Sequence, residues 1–348
     1  MAKKLRVGLI GLGSICQGGH IPGWLAADGC EIVAGADPSS GARESTQRRA
    51  GLGADLLFED YSQMLAQVEL DVVDICTPQK LHVKPALDAF KAGCHVLVEK
   101  PMATSSADVR KMIAAAQAAD RLLMVGQSMR FTQEHLALKR WVDAGLVGEV
   151  YWGRASWLRS RGVPVRPSFL LSQFSAGGPT YDIGVHVLDL SLWLMGHPEP
   201  VSVSANTWLK IANRPSLMKH DPKMYELPED LAVAFIRFAN GACLSLEASW
   251  ALNSPELDTW SVMLAGTEGG IVNNPPTLVR EEAGMLTNTY TQVNPDAGIA
   301  SHTAQIVAFA EAIRKGLPSP VPGEQALFTQ RILDGVYKSA RQGREVKV

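Results

Sequence analysis

Five short apolar runs in the first third of the chain, Leu5–Ile10, Glu31–Ala36, Val72–Cys76, His95–Val98 and Leu122–Val125, are separated by segments of helical period. Apolar runs of strand length suit strands covered on both faces, and parallel strands need a long crossover between them. The alternation therefore predicts an α/β fold whose N-terminal part is a doubly wound parallel sheet with helices on both faces. The best-marked helix runs from Ser105 to Ala119. Ser105 precedes Asp108 by three residues, as in a capping box, and Val109, Met112, Ile113 and Ala116 follow at helical spacing.

Beyond about residue 130 the pattern changes. Leu231–Phe238 and Ala242–Trp250 flank Asn240–Gly241, a strong hairpin signal, and Thr259–Ala265 joins Ile271–Asn273 through a glycine-containing turn. A second, α+β domain with a large, mostly antiparallel open sheet follows, with helices near Asp182–Met195 and His302–Lys315. The expected boundaries are 1–128 and 129–348, the last helix being able to pack back on the first domain. A chain of 348 residues is long enough for two such cores. Neither face of Leu231–Phe238 is clearly polar, which leaves two readings: one face on helices and the other on a second subunit, or both faces buried within one chain.

Charge excludes some functions. A net charge of −2 offers no excess of cations for phosphates or anionic lipid, so neither nucleic acid nor membrane is an expected partner. Five cysteines, Cys16, Cys30, Cys76, Cys94 and Cys243, show no Cys-x-x-Cys spacing, and a reducing cytoplasm is the simplest compartment. Lys3, Lys4 and Arg6 before the uncharged stretch from Val7 to Ala27 imitate a signal peptide, but its many glycines would weaken a spanning helix.

The turn after the first run reads Gly11-Leu12-Gly13-Ser14-Ile15-Cys16. Gly-x-Gly between a strand and a helix presents the backbone N–H groups of Gly11, Gly13, Ser14 and Ile15 to a dinucleotide diphosphate. Cys16 replaces the third glycine of that fingerprint and is small enough for close packing. Asp37 ends the second run, where a carboxylate accepts hydrogen bonds from both ribose hydroxyls and repels a 2′-phosphate, favouring NAD. Arg43 nearby leaves NADP open, and a plain turn role before Pro38 is the bland reading of Asp37.

Two further constellations carry chemistry. Val96-Leu97-Val98-Glu99-Lys100-Pro101 delivers Glu99 and Lys100 to the carboxyl end of a strand, where doubly wound sheets bind ligands; alone, it reads equally as a surface ion pair. In Gly177-Gly178-Pro179-Thr180-Tyr181-Asp182-Ile183-Gly184-Val185-His186 a turn opens a helix on which Asp182 and His186 share a face, with Asp189 one turn on. A carboxylate there biases the orientation and pKa of the imidazole, which suits it to take a proton from an alcohol. The bland reading is an N-terminal acid and a partly buried histidine.

Together these residues resemble the Gfo/Idh/MocA family, the group of glucose-fructose oxidoreductase and inositol dehydrogenase. The resemblance rests on the glycine-rich turn with His20-Ile21-Pro22, Thr77-Pro78 with His82, Glu99-Lys100-Pro101, Asp182-x-x-x-His186 and the closing Gly323-Glu324-Gln325 helix, with Ala176 where many members have glycine. It implies an NAD(P)-dependent oxidoreductase acting on a secondary alcohol of a sugar, cyclitol or sugar derivative. The open-sheet domain would pair subunits into a homodimer or homotetramer. By the same resemblance Lys100, Asp182 and His186 are the catalytic residues, with His186 accepting the hydroxyl proton, Lys100 polarising the oxygen and the two roles interchangeable. Thr77, Pro78 and His82 would line the nicotinamide and Glu99 meet its ribose.

Arg130, Trp157, Arg159, Arg161 and Arg166 are candidate substrate contacts, since an aromatic face suits the C–H side of a sugar ring and arginines hold hydroxyls or an acidic group. Solvated loop arginines are the bland reading for at least half of these, and the region of Trp250 has the same ambiguity. No metal is expected, because no Cys/His pair completes Asp182, His186 and Asp189. A redox-neutral NAD-dependent glycosidase and a nucleotide-sensing regulator that has lost turnover remain as alternatives.

Overall fold

The computed structural model describes residues 3–291 and 299–348. They fall into two compact units, residues 3–131 with Ile299–Leu327, and residues 132–291 with Phe328–Val348. The first unit is a six-stranded sheet of β1 (Leu5–Ile10), β2 (Cys30–Ala36), β3 (Leu57–Phe58), β4 (Val72–Ile75), β5 (His95–Glu99) and β6 (Leu123–Gly126). Its order is β3-β2-β1-β4-β5-β6 and every neighbouring pair is parallel. The five apolar runs are thus five of its strands. Val7, Leu9, Val72, Val73, Val96, Leu97 and Val98 are buried without exposure, as strands covered on both faces must be. The chain leaves β1 first towards β2 and later returns to β4, so the carboxyl ends of β1 and β4 flank the point where the winding reverses, which is where open α/β sheets bind ligands.

Helix Ser106–Ala118 begins as its residues require: Ser105 Oγ accepts from Asp108 N at 3.1 Å, and Val109, Met112 and Ala116 face the core. Helix Ser301–Lys315, expected in the second domain, belongs instead to this unit, because Ile306 and Phe309 pack into its core against Ile21–Ala26.

The second unit is built on nine strands: β7 (Val150–Arg159), β8 (Pro200–Trp208), β9 (Leu231–Phe238), β10 (Cys243–Ser249), β11 (Asp258–Gly266), β12 (Gly270–Asn273), β13 (Pro276–Glu282), β14 (Met285–Tyr290) and β15 (Val346–Lys347). The order is β14-β13-β12-β11-β7-β10-β9-β8-β15, antiparallel except between β7 and β10. The β9–β10 hairpin turns at Asn240–Gly241, where Gly241 takes φ +88°, a conformation costly for any other residue.

Helices Gln133–Asp143 and Val185–Leu194 cover one face of this sheet. Along β9, Ala232, Ala234, Ile236 and Phe238 point into that core while Val233, 40% exposed, and Arg237 face outward. Among the described residues the strand is therefore not buried on both faces. No helix of the described residues is long and apolar enough to cross a membrane.

Candidate active site

In the first unit the turn after β1 is shaped by what surrounds each glycine. Gly11 has φ +85°, and a Cβ on it would lie 2.7 Å from Thr77 N and 2.8 Å from Cys76 C, so only glycine lets the loops after β1 and β4 touch. Gly13 has the opposite environment: nothing lies within 4 Å of where its Cβ would be, and Gly13, Ser14 and Ile15 are exposed. Bare backbone facing open space is what a dinucleotide diphosphate needs. Cys16 is fully buried, fulfilling the packing duty of the third glycine.

Asp37 aims at this turn. Its Oδ2 accepts from Leu12 N and its Oδ1 from Ser39 N, both at 2.8 Å. The turn role and the ligand role coexist, since each carboxylate oxygen keeps a second acceptor position for a ribose hydroxyl. Arg43 is turned to the backbone, donating from Nη1 to Asp37 O at 2.6 Å.

Beyond β4 and β5 lie the other expected residues of this unit. His82 is buried, with Nδ1 2.9 Å from Pro101 O and Nε2 2.8 Å from Thr77 O. Burial pushes its pKa down, and the neutral ring, which has a single N–H, donates to one of these two oxygens while wedged between Thr77-Pro78 and Glu99-Lys100-Pro101. Its contribution is placement of those two loops.

The Glu99 carboxylate is likewise turned inward. Its Oε1 lies 3.0 Å from His20 Nε2 and its Oε2 accepts from Lys100 N at 3.1 Å. His20 Nδ1 meets Asp74 Oδ2 at 2.7 Å, and Trp24 Nε1 donates to that same oxygen at 2.7 Å. Burial opposes charge on both His20 and Glu99. The carboxylates of Asp74 and Glu99 nevertheless raise the imidazole well above its ordinary value, and the hydrogen bond and charge of His20, with Lys100, hold Glu99 near 2. His20, Asp74 and Cys76 bring ligand atoms within 4.8 Å of one another, but an imidazolium donating from both nitrogens has no lone pair for an ion. Lys100 is half-buried directly after β5.

Arg130 was expected to meet substrate. It is only 3% exposed, its Nη1 donating to Gln325 Oε1 at 2.5 Å, which fixes the start of the closing helix within this unit.

In the second unit the helix expected over Asp182–Met195 is α-helical only across Val185–Leu194 and opens with a wider π-type turn, Thr180–Gly184, that carries Asp182. His186 follows in the first turn of the α-helix. Both are half-buried, whereas Asp189 is buried in the core. Trp250 Nε1 donates to Asp182 Oδ2 at 3.2 Å.

Beside His186 stands Trp157, ring centroids 6.1 Å apart, and Trp260 stacks on Trp157 at 5.7 Å because β7 and β11 pair these two residues directly. Asp258 clamps the pair's edge, its Oδ1 accepting from Trp157 Nε1 at 2.9 Å and its Oδ2 from Arg159 Nε at 3.0 Å; the Arg159 guanidinium lies over the Trp157 ring at 5.2 Å. Arg161 and Arg166 are exposed. Arg161 reaches Ser160 O, Leu252 O and Asn253 Oδ1, tying two loops together. Sequence patterns pointed to Trp157 but missed Trp260, Asp258 and the buried Glu229. The direct β7–β11 pairing that joins the first two to Trp157 has no local signal.

Comparison with known proteins fits this geometry. The chain matches an oxidoreductase family, its NAD-binding Rossmann fold over residues 5–127 and its C-terminal α/β domain over residues 139–348. It is 30% identical over 350 residues to D-glucoside 3-dehydrogenase of Escherichia coli (strain K12), covering 100% of this chain and 98% of that protein. With scyllo-inositol 2-dehydrogenase (NAD(+)) of Bacillus subtilis (strain 168) it shares 27% identity over 271 residues, 78% of this chain and 74% of that one. In fold it resembles levoglucosan dehydrogenase, solved in complex with NADH and levoglucosan, with a TM-score of 0.84, 24% identity and 99% of each chain covered. A glycine cradle at the switch point of a parallel sheet, followed by an open-sheet domain bearing Asp182 and His186, and matched domain by domain, makes this chain a member of the Gfo/Idh/MocA family of oxidoreductases, with NAD as its cofactor.

Proposed function

We propose that this enzyme oxidises a secondary alcohol of a sugar, cyclitol or sugar derivative, using Lys100, Asp182 and His186. The observation that carries the reading is His186, preceded by a carboxylate four residues earlier and flanked by the indole of Trp157, itself backed by Trp260. An indole face suits the C–H side of a sugar or cyclitol ring, and an imidazole takes a hydroxyl proton near neutral pH. NAD, when bound, supplies the hydride acceptor. The hydroxyl proton passes to His186 as the C–H bond gives up its hydride and the C=O forms, Lys100 polarises the oxygen, and Asp182 orients the imidazole. Gly13, Ser14 and Ile15 hold the diphosphate on a turn that Gly11, its own N–H donated to Ala36 O, allows to pack against Thr77, Asp37 holds the adenosine ribose, and Thr77 and Pro78 border the nicotinamide. The names of the two relatives, dehydrogenases of a glucoside and of an inositol, support the substrate class.

The outward face of the second sheet, carrying Tyr151, Val233, Phe235 and Met263, supports pairing of subunits there as a homodimer or homotetramer. Five free thiols support a reducing, cytoplasmic setting. The test is NADH formation, by absorbance, from NAD and a panel of cyclitols, aldoses, glycosides and sugar acids, with Lys100→Met as control. One substrate class should give signal that falls about a hundredfold or more in the variant. Undiminished turnover by Lys100→Met removes that lysine from the chemistry, and silence across the panel with NAD bound overturns the dehydrogenase reading for these substrates.

A further inference from the structure

Glu229 supports the turn that carries Asp182 from beneath, and no motif pointed to it. Its side chain is fully buried, and Oε1 accepts from Gly178 N at 2.9 Å, from Thr180 N at 3.3 Å and from Tyr337 Oη at 2.7 Å. Its backbone oxygen accepts from Tyr225 Oη at 2.5 Å. The approach is so close that a Cβ on Gly178 would stand 2.3 Å from Glu229 O, and one on Gly177 would stand 1.9 Å from Tyr337 Oη. The paired glycines before Asp182 are thus required by this support. The next residue, Asp230, accepts from Trp250 N at 3.0 Å through its backbone oxygen, and Trp250 in turn donates to the Asp182 carboxylate. The Glu229-Asp230 pair therefore braces both the backbone that carries Asp182 and the indole that holds its side chain.

A simple turn cap needs only one acceptor oxygen. Glu229 has a second, Oε2, buried with no hydrogen-bond partner among the described residues. We propose that Glu229 is a positioning residue for Asp182 and His186, tightening the turn when it is ionised and relaxing it when it is neutral. Three donors converge on Oε1, and each of these bonds is shorter and stronger to a carboxylate than to a carboxylic acid. The groups facing Glu229 are Thr180 and Tyr181 of the turn, Tyr337 of helix Gly323–Gln342 and Tyr225 of its own segment; Asp334 acts on Tyr181 and Asp230 on Tyr225. Burial raises Tyr181, Tyr225 and Tyr337 above the ordinary tyrosine range, so these hydroxyls stay protonated. Burial also pushes Glu229 up to about 7 against the pull of its donors, which places its change of charge in the working range.

The inference rests on the reading of Asp182 and His186 as acid-base residues, and its test has one arm that needs no turnover. In full-length protein labelled with ¹⁵N-glycine, a glycine amide resonance should shift with a midpoint near pH 7 and stay fixed in Glu229→Gln, whose amide oxygen can accept the same bonds. Absence of any such resonance in the wild type overturns the proposal whatever the substrate panel gives. A titrating amide in a protein silent on the panel counts against the dehydrogenase reading alone.

With a turned-over substrate, the pH profile of kcat should show a step near neutrality that Glu229→Gln lacks while keeping kcat within about threefold of the wild-type maximum. Glu229→Leu should lower kcat about tenfold or more with NAD affinity unchanged. Tyr337→Phe, a milder change should the leucine variant fail to fold, should move the step to higher pH, because the anion loses a donor. A step retained in Glu229→Gln, or one unmoved in Tyr337→Phe, overturns the proposal.

Discussion

Glu229 also makes a stability prediction that is independent of catalysis. Its carboxyl is raised from an ordinary 4.5 to about 7, chiefly by burial, while hydrogen bonds from Tyr337, Gly178 and Thr180 pull the other way. A group whose folded pKa lies above its unfolded one stabilises the native state fully below the unfolded value, and that contribution is lost as pH rises through the folded value. Between about pH 4.5 and 7 the unfolded chain has released this proton and the folded chain still holds it. At about 1.4 kcal/mol per pH unit the shift amounts to roughly 3 kcal/mol.

Glu229→Gln keeps the shape and removes the titration, so the difference in unfolding free energy between wild type and variant isolates this group from most of the others. Urea unfolding of both proteins at pH 5, 6, 7 and 8 should show the wild type losing roughly 2.5 kcal/mol relative to the variant across that series, most of it by pH 7. In a unit of this size that corresponds to a change of about 5–10 °C in the gap between their melting temperatures. A gap constant to within about 0.5 kcal/mol, or one that moves in the wild type's favour as pH rises, would refute the assignment of a buried, largely neutral carboxyl at this position.

Two further outcomes follow from the structure. Because Asp37 faces the diphosphate turn through Leu12 N, Asp37→Ala should lower the ratio of NAD to NADP efficiency by about tenfold or more, as read from kcat/KM with each coenzyme; equal ratios in wild type and variant would remove Asp37 from coenzyme selection. Because Phe235 and Val233 lie on the outward face of β9, the wild type should show a multimeric mass in light scattering at micromolar concentration, and Phe235→Glu should shift it towards the monomer with NAD binding kept. A monomeric wild type would leave that face without the proposed role.

Much of the fold was legible because its signals are local. A strand covered on both faces must be apolar along its whole length, so the runs from Leu5 to Val125 announced the parallel sheet. Asn240–Gly241 announced a hairpin because few residues tolerate its turn. Gly11-x-Gly13, Asp37, Lys100, Asp182 and His186 were readable as candidates because backbone exposure, a strand-end carboxylate and helical spacing are written in short segments. Helix bounds near Asp182 were less legible, since a π-type turn depends on where the first amides find acceptors, here Gly178 N and Thr180 N on Glu229.

What the sequence by itself determined is the set of elements and the chemistry they present, since both depend on residues a few positions apart. Tertiary structure alone decided which long-range partners meet. It turned Glu99 inward onto His20 and committed His82 to two backbone carbonyls. It buried Arg130 against Gln325, seated Trp157 between Trp260 and His186, and brought Glu229 and Tyr337 under Gly177 and Gly178. The His82 contacts apart, they join residues from 29 to 195 positions apart. The reason is physical: a buried polar atom must find a partner wherever the chain brings one, and no local pattern encodes that partner's position.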